Sequence, residues 1–262
     1  MNLYFKETGN QESDTIVFLH ELNMAGWMWY SQMESLPDYH CIVPDLLGHG
    51  ESQDITKFTM DNAAKQVIEL IDQRSVNGKA HLVGMALGAQ IILKILSRAP
   101  EVADRVFISG ALINSTLPSK SFHELLNYLL NVYIPVKDDH LSIGSYIRCY
   151  GIPKNQRGKY INSTQVIKPE TAFNVLKENI LFEMPDNLDK FPNSVLVMAG
   201  EKDYSVIKRC ALDIADILPC SNAYLAPGVG HIWNLEAPEL FNQVLHSFLS
   251  GKSLPDVLIK LG

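Results

Sequence analysis

Gly84-Met-Ala-Leu-Gly88 follows a short apolar run, Ala80-His-Leu-Val83, and precedes a stretch from Ala89 to Arg98 whose apolar residues recur at spacings of three and four. The first pattern predicts a strand buried on both faces, and the second an amphipathic helix. Glycines on both sides of a small central residue fit a sharp, strained turn that brings strand and helix close together.

The same alternation extends outward from this turn. Thr15-Ile-Val-Phe-Leu19, His40-Cys-Ile-Val43, Val106-Phe-Ile-Ser109, Ser194-Val-Leu-Val-Met198 and, more weakly, Asn222-Ala-Tyr-Leu225 read as further buried strands. Met60 to Gln73, Ile207 to Leu218 and Pro238 to Leu249 carry the helical spacing. Alternating strands and helices predict an α/β fold, a mostly parallel sheet flanked by helices with right-handed crossovers. The 262 residues suffice for a single domain over residues 1–262. The alternation stops between Leu112 and Asp189, where helical segments follow one another, so residues 112–189 are expected to form a helical cap inserted in that domain. Its aromatics, among them Phe122, Tyr128, Tyr133, Tyr146, Tyr150 and Tyr160, are suited to roof a largely apolar pocket, although most such rings simply pack a cap on its body.

Composition narrows the partners. An apolar fraction of 47% with 19% charged residues is that of an ordinary globular protein, and a net charge of -7 argues against nucleic acid or an anionic membrane. The N-terminus has no basic region followed by an apolar run, and no apolar stretch reaches the roughly 20 residues needed to span a bilayer, so a cytoplasmic location is expected. Cys41, Cys149, Cys210 and Cys220 show no metal-ligand spacing, and no H-x-x-x-H or H-E-x-x-H pattern occurs, so no metal and no cofactor are expected. Composition does not specify an oligomeric state.

A strand, a tight glycine-flanked turn and a helix form the setting of a nucleophile elbow, G-x-S-x-G, and here the central position is Ala86. Two other segments corroborate that setting. Gly200-Glu-Lys-Asp203 directly follows the strand ending at Met198, which puts a carboxylate at the C-terminal edge of the sheet where open α/β folds build their sites. Gly228-Val-Gly-His231 brings an imidazole to the same edge after the last strand. Asp203 is the candidate orienter and His231 the candidate base, because a hydroxyl at its ordinary pKa needs an oriented base to become a nucleophile.

Phe18-Leu-His20-Glu-Leu22 resembles the His-Gly-x loop of the α/β-hydrolase superfamily, and Pro44-Asp-Leu-Leu-Gly-His-Gly-Glu-Ser52 resembles its P-D-x-x-G-x-G-x-S loop. With the elbow, acid and histidine segments in the same chain order, the resemblance to that superfamily covers everything except the cap. It implies an oxyanion hole formed by the backbone N–H groups of Leu22 and Leu87, a triad completed by Asp203 and His231, and a small, mostly apolar, ester-like substrate. Trp233, Tyr128 and Tyr146 are candidate substrate contacts. The implied activity is hydrolysis of a carboxylic ester or related acyl bond, halted here because alanine cannot begin the cycle, as in a serine-to-alanine variant of an active enzyme. Two alternatives stay open: a natural binding protein on the same fold, and a lyase in which His231 works without a covalent step.

A second departure is Glu21, where the superfamily usually has glycine. His20-Glu-Leu-Asn-Met-Ala-Gly-Trp-Met-Trp29 is similar to the plant hydroxynitrile lyase and methylesterase branch, in which this position also varies. A carboxylate at the pocket mouth is one expectation. The favoured one turns Glu21 to solvent or into a local hydrogen bond, because an unpaired carboxylate beside an oxyanion hole opposes the charge being stabilised. His20 and His49, within loop motifs, are expected to be structural hydrogen-bonders.

Overall fold

The computed structural model describes residues 3–53, 57–114, 124, 127, 128, 132 and 134–262. Eight strands form one sheet: β1 (Phe5–Thr8), β2 (Thr15–Leu19), β3 (His40–Pro44), β4 (Ala80–Met85), β5 (Ala103–Ser109), β6 (Val195–Gly200), β7 (Ser221–Ala226) and β8 (Ile259–Lys260). Their order is β1-β3-β2-β4-β5-β6-β7-β8. The six strands from β3 across to β7 run parallel, while β1 and β8 pair antiparallel at the two edges.

The two-residue period of a strand explains the layering. In β2, Val17 and Leu19 point into one apolar cluster, and Ile16 and Phe18 into another on the opposite face. The first cluster is covered by α2 (Met60–Arg74), α3 (Leu87–Arg98) and a helix from Ser205 to Ile217, through residues such as Val67, Ile92 and Ile214. The second is covered by Met28, Trp29 and Met33, around α1 (Tyr30–Glu34), and by the helix Pro238–Leu249 through Phe241 and Val244. Covered on both sides, β2, β3, β4 and β6 are buried at every position, which is why their sequences read as unbroken apolar runs. The edge strands β1 and β8 carry lysines and exposed positions and lack that signal; a polar edge discourages pairing with another chain.

Between β5 and β6 the described residues contain helices and no strand. The main ones are α4 (His140–Cys149), α5 (Arg157–Val166) and α6 (Pro169–Ile180). This helical segment is tied to the body by hydrogen bonds. The Trp27 indole N–H donates to Ser163 Oγ at 2.8 Å, and Gln90 on α3 exchanges side-chain and backbone bonds with Asn179 on α6. Phe122 and Tyr133 lie outside the described residues, and Tyr160 is buried in the interior. No helix among the described residues is long and apolar enough to cross a membrane.

β3 and β4 lie on opposite sides of β2, so the chain reverses its direction of sheet growth at that strand. The loops after β2 and β4 therefore part at the C-terminal edge and open a crevice, the usual place for a site in an open α/β sheet.

Candidate active site

Ala86 sits in that crevice with φ 47° and ψ -100°, a conformation that side chains rarely adopt. The other non-glycine residues with positive φ among those described are Asn23, Asn77 and Asn187, and asparagine tolerates that region. The strain costs about 1 to 3 kcal/mol and persists because the surroundings over-determine it. The Ala86 N–H donates to Ser109 O at 2.7 Å, and its carbonyl accepts from Gln90 N at 3.0 Å to start α3. The flanking glycines permit the close approach: a Cβ on Gly84 would collide with the backbone of Ala89, and one on Gly88 would overlap the Leu19 carbonyl.

Asp203 and His231 meet at the same edge. His231 Nδ1 lies 2.7 Å from Asp203 Oδ2, while Asp203 Oδ1 accepts the Tyr204 N–H at 2.8 Å. Both residues are nearly buried. The loop bearing His231 is pinned by the Glu236 carboxylate, which accepts the Gly230 N–H at 2.7 Å. Burial disfavours charge on the imidazole. The hydrogen bond and charge of Asp203, helped by the charge of Glu21, outweigh it and raise the pKa of His231 above its ordinary value. With Nδ1–H committed to Asp203, Nε2 is the nitrogen left to act as a base.

Ala86, Glu21, Leu22 and His231 line one cavity of about 170 Å³, walled by Tyr146, Tyr150, Leu112, Leu176 and Ile180. The Tyr150 ring lies 5.5 Å from the His231 ring and 5.3 Å from that of Tyr146. Tyr150, expected among the cap aromatics but not among the substrate contacts, is a wall residue. Its signal is the spacing of four from Tyr146, which puts both rings on one side of α4 and its C-terminal cap.

Glu21 is not turned to solvent. Its side chain is buried, and Glu21 Oε2 accepts the Leu87 N–H at 3.2 Å; the neighbouring Leu22 amide also favours the ionised carboxylate. The objection to an unpaired carboxylate at this place does not apply, because the protein supplies partners. Of the two amides expected to donate to an oxyanion, Leu22 and Leu87, that of Leu87 is bonded to a side chain of the chain itself. Burial pushes the Glu21 carboxyl up to about 7, against the opposing pull of His231 and of the Leu87 and Leu22 amides, with the charge of Asp203 adding to the rise.

Two proposed substrate contacts lie elsewhere. Trp233 is fully buried in the body: its indole N–H donates to Ser109 Oγ at 2.9 Å and its ring packs 4.4 Å from that of Phe241. An indole needs both apolar cover and an acceptor, and Trp233 finds them in the core rather than in the cavity. Tyr128 is 57% exposed and is not among the residues lining the cavity.

The remaining motif residues hold the loops in shape. His20 bridges the Glu21 carbonyl, 2.8 Å from Nδ1, and the Leu46 N–H, which donates to Nε2 at 2.9 Å. Asp45 accepts the N–H groups of Gly26 and Glu51 through its two oxygens. Burial lowers His20 to about 4 and His49 to about 3, so both are neutral and neither is a base at physiological pH. Among the described residues no group of three or more His, Cys, Asp or Glu side chains is placed to hold a metal ion.

A model of the alpha/beta hydrolase fold family matches residues 14–133. The chain is 26% identical over 271 residues to the uncharacterized hydrolase YugF of Bacillus subtilis (strain 168), covering 95% of this chain and 94% of that protein. It is 25% identical over 230 residues to the 2-hydroxy-6-oxo-6-(2'-aminophenyl)hexa-2,4-dienoic acid hydrolase of Metapseudomonas resinovorans, covering 82% and 75%. Among solved structures, a thermophilic esterase from Thermogutta terrifontis superposes with a TM-score of 0.78 at 21% identity, over 95% of this chain and 93% of the esterase.

Proposed function

This chain is an α/β-hydrolase by fold, and from that premise we propose that its cavity receives a small, mostly apolar compound with an ester-like acyl bond and holds it without forming an acyl-enzyme. The observation that carries this is Ala86, held in a strained elbow conformation and sharing a cavity with an imidazole bonded to Asp203. Asp203 fixes the tautomer and orientation of His231, and His231 is the base that would serve a serine hydroxyl. Alanine removes that hydroxyl. The aromatic and aliphatic walls are left to bind the acyl chain, so ground-state affinity survives the loss of chemistry. A serine-to-alanine change alone leaves Glu21 unexplained. Two departures at one spot support a chain that has left acyl-enzyme chemistry rather than one altered at a single position.

Calorimetry with a homologous series of esters tests this. The chain should bind them intact, with affinity rising by up to about 0.8 kcal/mol per buried methylene. Affinity that stays flat or falls with chain length would remove the acyl site.

A second function, proton transfer by His231 without a covalent intermediate, draws support from Glu21. A buried carboxyl that titrates near 7 and interacts with His231 can give a proton to a substrate oxygen while His231 takes one from carbon or oxygen. Activity of the unaltered chain that disappears in His231→Ala would distinguish this function from binding alone.

A further inference from the structure

We propose that Glu21 is a built-in occupant of the oxyanion hole, so that two residues, Ala86 and Glu21, rather than the missing hydroxyl alone, separate this chain from acyl transfer. The proposal rests on the acyl-site function above. An oxyanion hole works because backbone N–H groups stand free and aimed at the oxygen on which charge develops. Here the Leu87 N–H is already bonded to Glu21 Oε2 at 3.2 Å, and the Leu22 amide, next to Glu21 in the chain, favours the same ionised carboxylate. The carboxylate therefore sits where a carbonyl oxygen would, and it carries the charge that the oxygen would acquire.

The carboxylate is presented from a fixed stretch of backbone: the Glu21 carbonyl faces His20 Nδ1 at 2.8 Å and accepts the Met24 N–H at 3.2 Å, and the Glu21 N–H points to Met28 Sδ at 3.4 Å. Burial around the carboxylate leaves solvent little part in the competition for those amides. An incoming carbonyl meets an acceptor instead of donors. An incoming carboxylate meets a like charge as well.

Two substitutions at Glu21 separate occupancy from charge. Glu21→Gly empties the hole. Glu21→Gln removes the charge but keeps an amide oxygen of the same reach on the same N–H groups. Butyrate is the probe, measured by calorimetry at a pH above about 8, where the Glu21 carboxylate is ionised. Butyrate should bind Glu21→Gly at least about tenfold more tightly than both the unaltered chain and Glu21→Gln. Equal binding by all three overturns the proposal, and equal gain in the Gly and Gln variants overturns occupancy in favour of charge alone. Hydrolysis of p-nitrophenyl butyrate by serine variants then tests the consequence. Ala86→Ser with Glu21→Gly should exceed Ala86→Ser by about 100-fold or more, the scale on which oxyanion donors act. Equal, substantial rates in the two would overturn the role of Glu21 while sparing the acyl site. If both folded variants stay at background although butyrate binds the Gly variant, the acyl-site function fails and occupancy by Glu21 stands.

Discussion

The two sides of the cavity floor differ. On one side the Asp203 carboxylate and the His231 imidazole are paired 2.7 Å apart, with the second carboxylate oxygen tied to the Tyr204 amide. On the other side the cavity meets the Ala86 methyl group and a Glu21 carboxylate bonded to the Leu87 amide. The backbone is alike in purpose on both sides, since the turn at Ala86 keeps its strained geometry although no hydroxyl needs to be presented. What differs is only which atoms the backbone carries. A shared fold leaves the side chains at its site free to differ, which is why function is argued from the site and not from the fold.

The largest effect that would sharpen this contrast is expected at Glu21. A carboxyl raised from its ordinary value to about 7 binds its proton more tightly in the folded protein than in the unfolded one. Folding stability therefore falls as pH rises from about 4.5 to 7, and Glu21→Gln removes that loss. The Gln variant should be more stable than the unaltered chain by up to about 3 kcal/mol near pH 8, with the difference vanishing near pH 4.5. Denaturant melts across that range check it; a difference independent of pH would mean that the carboxylate is not held against its charge.

Next comes the other side of the floor. Asp203→Asn leaves burial as the dominant influence on His231, so the imidazole pKa should drop from above its ordinary value to below it, followed by NMR of the ring protons. Because the raised His231 pKa contributes stability that is present below the unfolded value and lost as pH rises through the folded one, the variant should cost about 2 kcal/mol near pH 5.5 and less near pH 9. The smallest effect concerns the shared backbone. Ala86→Gly relieves a positive φ at some cost in chain entropy and should stabilise the protein by about 1 kcal/mol. No gain would mean that the turn is not strained.

Much of the architecture was legible because the central strands are covered on both faces and carry an unbroken apolar signal. β1 and β8 were not, since an edge strand with lysines has neither an apolar run nor a clear alternation. The pairing of Asp203 with His231 could be read from their places after β6 and β7, where glycines mark the loops. Glu21 could not be read correctly, because its fate depends on whether an amide 66 positions away along the chain, that of Leu87, is free to bond it, and spacing does not report that. Trp233 failed as a pocket residue for the complementary reason: a large ring two residues past His231 had an acceptor, Ser109 Oγ, waiting in the body.

The persistence of the turn at Ala86 has a consequence in genetic terms. Alanine and serine codons differ at the first base, and glutamate and glycine codons at the second. On the function proposed above, a chain that keeps the costly backbone, the histidine and its carboxylate stands two single-base changes from a serine at the turn and a glycine in place of Glu21.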